Sequence, residues 1–484
     1  MIPDVVICQK DGITYPSNWD PSDNYPEYPF KGAINQTENH AYAMVRECLR
    51  LLGLDSEHFS TSRWNPLGDL VVPGQTVVIK PNLVLHVNKN KRAGKHGMDC
   101  LVTHPSVIRA VCDYCIIALK GRGRIVIGDA PVQDCDLKAL FERMGYTKIV
   151  DFYRGCGIDI VSFEDFRAYH TRLNKMHVIC DKKVNSEGVE VDLGNLSAQK
   201  AELGGNYVQV ANYDRRVTTA YHSEGRHVYS IARTALGADL IINLPKPKSH
   251  RFAGMTGAMK NFVGIACNKE TLPHRTSGDS AAGGDSYPSR SLLKRIADYG
   301  LNLKTYQESE GKTARAAFTW LWAGLFCFLS KHFSRDSFLL GSWPGNDTIW
   351  RTIVDLDYIM TFCTKTGELS SVPQRRFLTI VDGIISGEEA GPLRPSPKML
   401  GALVAGLDMA QIDSVLAKIM GFPIDKIPLL REVCSNGTRI AYREPLVLMS
   451  ENGGPVVSKC LTDMRFNKMW FFKPHPSWNK ELGA

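Results

Sequence analysis

Apolar and polar positions change rhythm near residue 75. Before it, a Pro- and Asn-rich polar stretch ("SNWDPSDNYPEYPFKGAINQTENH") leads into one amphipathic segment, "AYAMVRECLRLLGL", with apolar positions at helical spacing up to Gly53. After it, short apolar runs alternate with amphipathic ones. "QTVVIKPNLVL" predicts a buried strand and "HPSVIRAVCDYCIIALK" a helix with Pro105 in its first turn; "GRIVIGDAP" predicts a second strand and "DLKALFERMGY" a second helix. Strand, helix, strand, helix at this spacing argues for a parallel sheet covered by helices.

The alternation breaks at 170–228, where "MHVIC", "VEVDL", "YVQVANYD" and "RVTTAYH" carry β signals and predict an antiparallel insertion. It resumes with a helix over "SIARTALG", a strand over "ADLIINLP" and a basic loop. The Gly- and Ser-rich stretch 270–290 predicts a long loop, and helices dominate 291–365. The last third returns to strands ("RRFLTIVDGII", "GALVAGLD", "REPLVLMS") and helices ("MAQIDSVLAKIMGF", "PIDKIPLLREVCS"). The expected class is α/β: parallel-sheet lobes with helices on both faces and an antiparallel β insertion. The expected division is an N-terminal extension (1–70), a first α/β lobe (71–270), a loop and helical segment (271–370) and a second α/β lobe (371–484).

Composition narrows the partners. A chain of 484 residues with 44% hydrophobic residues can build a substantial core, and a net charge of +8 spread over that length suits a small anionic substrate better than nucleic acid. The cysteines are scattered, mostly in apolar runs, as reduced buried thiols would be. No basic stretch followed by a long apolar one opens the chain, which predicts a cytoplasmic protein. The uncharged run "AAFTWLWAGLFCFLS" (316–330) is short for a membrane span and predicts a buried or interfacial helix, with protein or membrane contact through Trp320 and Trp322 as an alternative.

Candidate chemistry gathers where charged residues directly follow apolar strands, because loops converge at the carboxyl ends of parallel strands. Lys80 and Asn82 follow the first strand, Asp129 the second, and Lys246, Lys248 and His250 follow "ADLIINLP". The glycines of "GMTG" then allow close backbone approach, with Lys260 and Asn261 entering the next turn. Lys80, Asn82, Lys246, Lys248 and Asn261 are candidate binders of an anionic group, and His250 with Lys260 the candidate pair for moving a proton. Asp129, Asp382, Glu389 and Asp408 could supply oxygen ligands to a divalent cation such as magnesium. Against each stands a plain structural role, a turn or helix cap for the aspartates and a solvated turn for the basic loop.

"VVIKPNLV", "THPSVIRAV", "GRIVIGDAP", "ADLIINLPKPKSH" with "GAMKNFVGI", and "LTIVDGIISGEEAGP" with "AGLDMAQIDSVLAKIMGF" resemble, in that order, the prokaryotic family catalogued as domain of unknown function 362, over roughly residues 75–435. That resemblance implies no reaction. Some members carry a ferredoxin-like module, but the clustered cysteine run it needs is absent here, so no iron–sulfur cluster is expected. "HRFAGMTGAMKNFVGIA" is similar to a loop of lactate racemase-like proteins in which a histidine precedes the lysine that anchors a nickel-pincer nucleotide; the matching positions are His250 and Lys260. Where that family tends to have paired glycines and a proline, this chain has "TGAMK" and "NFVG", so what carries over is an α/β architecture with a site between lobes.

The expected function is an enzyme of unassigned reaction on a small polar or anionic metabolite, an isomerase, racemase-like or redox enzyme using a metal. The alternative is a non-enzymatic binding or assembly protein of a biosynthetic pathway that docks on a partner or membrane.

Overall fold

The computed structural model describes residues 3–174, 177–181, 187–201, 203–210, 213–223 and 225–483, with backbone alone for 170–174 and 177–181. Parts of the expected insertion at 170–228 therefore lie outside the described residues.

One 11-stranded sheet organises the chain. Its strands are β1 (Val5–Gln9), β2 (Thr76–Pro81), β3 (Arg124–Asp129), β4 (Val161–Asp165), β5 (Leu240–Leu244), β6 (Lys248–His250), β7 (Gly254–Thr256), β8 (Arg376–Ala390), β9 (Arg394–Gly406), β10 (Leu446–Glu451) and β11 (Val457–Cys460). The order across it is β11–β10–β1–β9–β8–β5–β2–β3–β4, with β6 on β8 and β7 on β6. From β8 to β4 neighbours run parallel; β8 and β9 form an antiparallel hairpin, and β1 pairs antiparallel with β9. Strands from both expected lobes thus hydrogen-bond in a single sheet, and the N-terminal seventy residues contribute a strand inside it.

Alternate residues of these strands face opposite cores. Val5 and Ile7, Val78, Val126, Ile241, Val381 and Val404 join one apolar cluster, while Val6, Val77, Ile79, Ile125, Ile127, Ile242 and Leu403 join the other. Helices α1 (His40–Leu51) and α2 (Pro105–Leu119) cover the second face; α5 (Ile349–Phe362) and α6 (Met409–Ile419) cover the first. Burial on both sides explains why the parallel strands read as continuous apolar runs.

Between α2 and α5, α3 (Leu292–Ser309) and α4 (Thr313–Phe333) form a helical hairpin. The run 316–330 lies within α4; Phe318, Trp320, Leu321, Leu325 and Phe328 face solvent, so the buried reading fails for that face, whereas Trp322 is half-buried beside Gly300 of α3. No helix among the described residues is long and apolar enough to cross a membrane.

A separate antiparallel sheet pairs Gly188–Asp192 with Arg226–Ala232, as expected for the insertion. Two local expectations are corrected. "SIA" of "SIARTALG" belongs to the strand Arg226–Ala232, leaving helix only at Arg233–Leu236, because pairing with 188–190 overrides local helix preference. Arg215–Tyr221, from "RVTTAYH", is helical, started by Asp214 accepting from the Arg216 backbone N–H.

Candidate functional site

Parallel β2, β3 and β5 deliver Lys80, Asp129 and Lys246 to one edge of the sheet. β8 reaches the same edge at Asp382 and then bends, its register shifting between Gly383 and Ile385. Two buried ion pairs result. Lys80 Nζ lies 2.8 Å from Asp129 Oδ1, and Lys246 Nζ 2.7 Å from Asp382 Oδ2. Asp382 also accepts from the Tyr15 hydroxyl and, at 2.8 Å, from the His104 backbone N–H. Lys246 donates to the Tyr15 oxygen at 2.7 Å, and the Tyr15 ring stacks on His104 with centroids 3.9 Å apart. Burial, then Asp382, holds the Tyr15 phenol well above its usual range; burial lowers both lysines while their carboxylates oppose it.

A chain of amides runs from Lys248 to the Lys80 backbone. Lys248 Nζ donates to Asn82 Oδ1 (2.7 Å) and to the Leu101 carbonyl (2.6 Å); Asn82 Nδ2 donates to Asn261 Oδ1 (3.0 Å). Asn261 Nδ2 in turn donates to the Lys80 carbonyl and to Asn243 Oδ1. Four of the five expected anion binders, Lys80, Asn82, Lys248 and Asn261, therefore meet in one network where they bind one another, while Lys246 is held apart by Asp382, Tyr15 and the Ile385 carbonyl. Gly264 abuts it, and a Cβ there would overlap Asp129 Oδ1 and the Lys80 ammonium. Gly264→Ala is therefore expected to destabilise by about 1–3 kcal/mol, the usual range for overpacking; a urea midpoint equal to wild type would contradict the packing described.

Next to this network stand Lys260 and Arg251, which pair with no carboxylate among the described residues. Lys260 is buried, has no counter-ion among the described residues, and is pushed down to about 8 by burial alone. Arg251, partly buried, has its guanidinium 4.4 Å over the Phe252 ring, and burial and then Arg275 lower its pKa. Both act on His250 and His274, whose rings lie 5.9 and 6.0 Å from that of Phe252. Lys269, donating to the Val263 carbonyl at 2.6 Å, is pushed down to about 7 by burial. Lys248 is likewise pushed down to about 7, by burial and then by Lys246.

The histidine roles follow from their hydrogen bonds. His250 Nδ1 accepts from the backbone N–H groups of Phe252 (3.1 Å) and Ala253 (3.2 Å), so the ring proton of the neutral form sits on Nε2. His250 is then a hydrogen-bond donor, and its lone pair is unavailable for taking a proton. His274 has the opposite arrangement: Nδ1 donates to the Leu272 carbonyl at 2.7 Å, leaving the lone pair on Nε2. Burial, then Lys260, pushes His274 down to about 3.

The four expected metal ligands do not come together. Asp129 and Asp382 are committed to lysines; Glu389 accepts from Ser396 Oγ (2.6 Å) and Lys473 Nζ (3.1 Å). Asp408 lies at the far edge, because β9 runs antiparallel to β8, and it caps α6 by accepting from the Gln411 backbone N–H. Among the described residues no three His, Cys, Asp or Glu side chains group as a metal-binding set. Two open clefts, of about 390 and 530 Å³, are lined by Asp239 with Arg375 and by Asp4 with Asp408, away from the lysines. Tyr15, Asn243, Arg251 and Lys269 belong to the site without having been singled out from sequence, and only Arg251, beside His250, had a strand-end signal.

Comparison with known proteins adds little chemistry. A curated relative, the thylakoid-associated protein of Synechocystis sp., is 24% identical over 203 residues, covering 42% of this chain and 43% of that protein, so the match spans less than half the relative's length. A crystal structure of a Thermotoga maritima protein aligns over 82% of this chain and 60% of its own at 10% identity, with a TM-score of 0.30, too low to bear on the fold. The family model described as "Domain of unknown function (DUF362)" matches residues 77–194 and 195–418, well over half of the chain, which therefore belongs to that family.

Proposed function

We propose that the protein binds a small anionic metabolite, a carboxylate or phosphate, with Arg251 and Lys260, and moves a proton on it with Lys260. One observation carries this reading: Lys80 and Lys246 each meet a carboxylate, whereas Lys260 and Arg251, a few residues along the same chain segment, meet none among the described residues. A buried and a partly buried cation, neither neutralised, are unfavourable unless an anion completes them. A bound anion supplies that charge, and His250 adds its Nε2–H as a donor.

The same arrangement suits proton transfer. Near pH 8 Lys260 exists in both forms, so it can give or take a proton close to physiological conditions. His274, pushed down to about 3, stays neutral and offers Nε2 as a hydrogen-bond acceptor in the same electrostatic neighbourhood. The anion, once bound, raises the pKa of Lys260, so binding takes up a proton.

Calorimetric titration with inorganic phosphate and with acetate, each in two buffers of different ionisation enthalpy, tests this. Binding with proton uptake is expected, weakening as pH rises through about 8. Lys260→Met and Arg251→Met should each weaken it roughly 10- to 100-fold, the scale of a lost charged hydrogen bond. Absence of binding for both anions, or equal affinity in both variants, would sink the proposal.

A further inference from the structure

Helix α4 is built inside out. Its face toward α3 carries mostly small residues, with Ala316, Thr319, Ala323 and Ser330 buried and Trp322 beside Gly300. Its opposite face carries Phe318, Leu321, Leu325 and Phe328, which are 70, 63, 54 and 57% exposed. Positions 318, 321, 325 and 328 recur at helical spacing, so these side chains form one continuous stripe. At 1.5 Å per residue the stripe runs about 15 Å along the helix. Leu292 and Tyr299 on α3 are 70 and 60% exposed, and Trp320 and Phe333 on α4 are also exposed. A patch of this kind needs an occupant.

Charge selects among the occupants. From Gly311 to Arg335 the chain has no Asp or Glu, while Lys312, Arg315, Lys331 and Arg335 bracket the apolar run. Arg315, Lys331 and Arg335 have no ion-pair partner among the described residues, and Lys312 reaches only Glu310, at 3.8 Å. Two copies meeting antiparallel through this stripe would set Arg315 of each against Lys331 of the other, a like-charge contact. A bilayer surface with anionic headgroups meets the same pattern favourably, taking the aromatic and aliphatic side chains at the acyl boundary and the cations at the phosphates. The helix does not meet the requirements of a span, so it would lie in the interface.

We infer that the α3–α4 hairpin is a monotopic membrane anchor, laying the Phe318–Leu321–Leu325–Phe328 stripe into the headgroup region of an anionic lipid surface. The inference is independent of the anion site. The full chain is tested by co-sedimentation with phosphatidylcholine vesicles, with and without phosphatidylglycerol, at low and high salt. The protein is expected to pellet with the phosphatidylglycerol vesicles and to be released by salt. Phe318→Glu and Leu325→Glu, each on an exposed face and so leaving circular dichroism and the melting temperature unchanged, should weaken pelleting at least about tenfold. Failure of the wild type to pellet, pelleting that survives both substitutions, or a dimer in light scattering that these substitutions dissociate without any vesicle binding would each overturn it.

Discussion

Replacing Asp382 by alanine is expected to lower the stability of the fold by about 3–5 kcal/mol, the range found when one partner of a buried ion pair is removed. Both Asp382 and Lys246 are fully buried, so the ammonium left behind has no water to turn to. The loss extends further, since the carboxylate also receives the Tyr15 hydroxyl and the His104 backbone N–H. Three donors would then face an apolar methyl. Urea denaturation gives the measurement. A double substitution, Lys246→Met with Asp382→Leu, should recover a large share of the loss, because the charge and its desolvation disappear together. A single-variant loss under about 1 kcal/mol would mean that the pair is hydrated or loosely held.

The second large effect is on the pH dependence of stability. Lys248 and Lys269 lose their protons near pH 7 and Lys260 near pH 8 in the folded protein, while in the unfolded chain a lysine keeps its proton to about pH 10. Between those limits the unfolded chain binds more protons, so stability rises with pH; below them the burial penalty is present in full. Each lysine contributes up to about 1.4 kcal/mol per pH unit. Below pH 8 the rise is opposed by Asp357, which burial holds at about 8 and which therefore favours the folded state at lower pH. From about pH 8 upward it is opposed again by buried and half-buried thiols such as Cys100, Cys363 and Cys434, pushed up to about 11, which the unfolded chain ionises near pH 8.5. The lysine contribution is therefore read by difference. The stability of wild type relative to Lys269→Met should rise between pH 7 and 9, by up to about 1.4 kcal/mol per pH unit, in paired urea denaturations. A difference that stays flat across that range would show Lys269 to be charged and compensated.

The parallel strands were legible because both of their faces are covered, which leaves apolar runs without polar interruptions. Their carboxyl-terminal charges were legible for the same reason, since Lys80, Asp129 and Asp382 stand directly after such runs. The pairing of those charges was hidden: Lys246 and Asp382 are 136 residues apart and meet only through the adjacency of β5 and β8. Strand direction was hidden too. Asp382 and Asp408 look alike in sequence, yet the turn between β8 and β9 sends Asp408 to the opposite edge. Tyr15 lies in a polar, Pro-rich stretch that looks peripheral, and its contact with Asp382 spans 367 residues. In α4 the inward side was hidden, because the small residues and the large ones are equally uncharged.

The root of the helical hairpin is fastened close to the cation group. Arg275 donates to Asp298 on α3 at 2.7 Å, and both side chains are buried, while its neighbour His274 and the nearby Arg251 belong to the cation group. A buried ion pair at its base leaves the hairpin little freedom to swing. The exposed stripe of α4 is thereby presented in one fixed direction relative to the sheet.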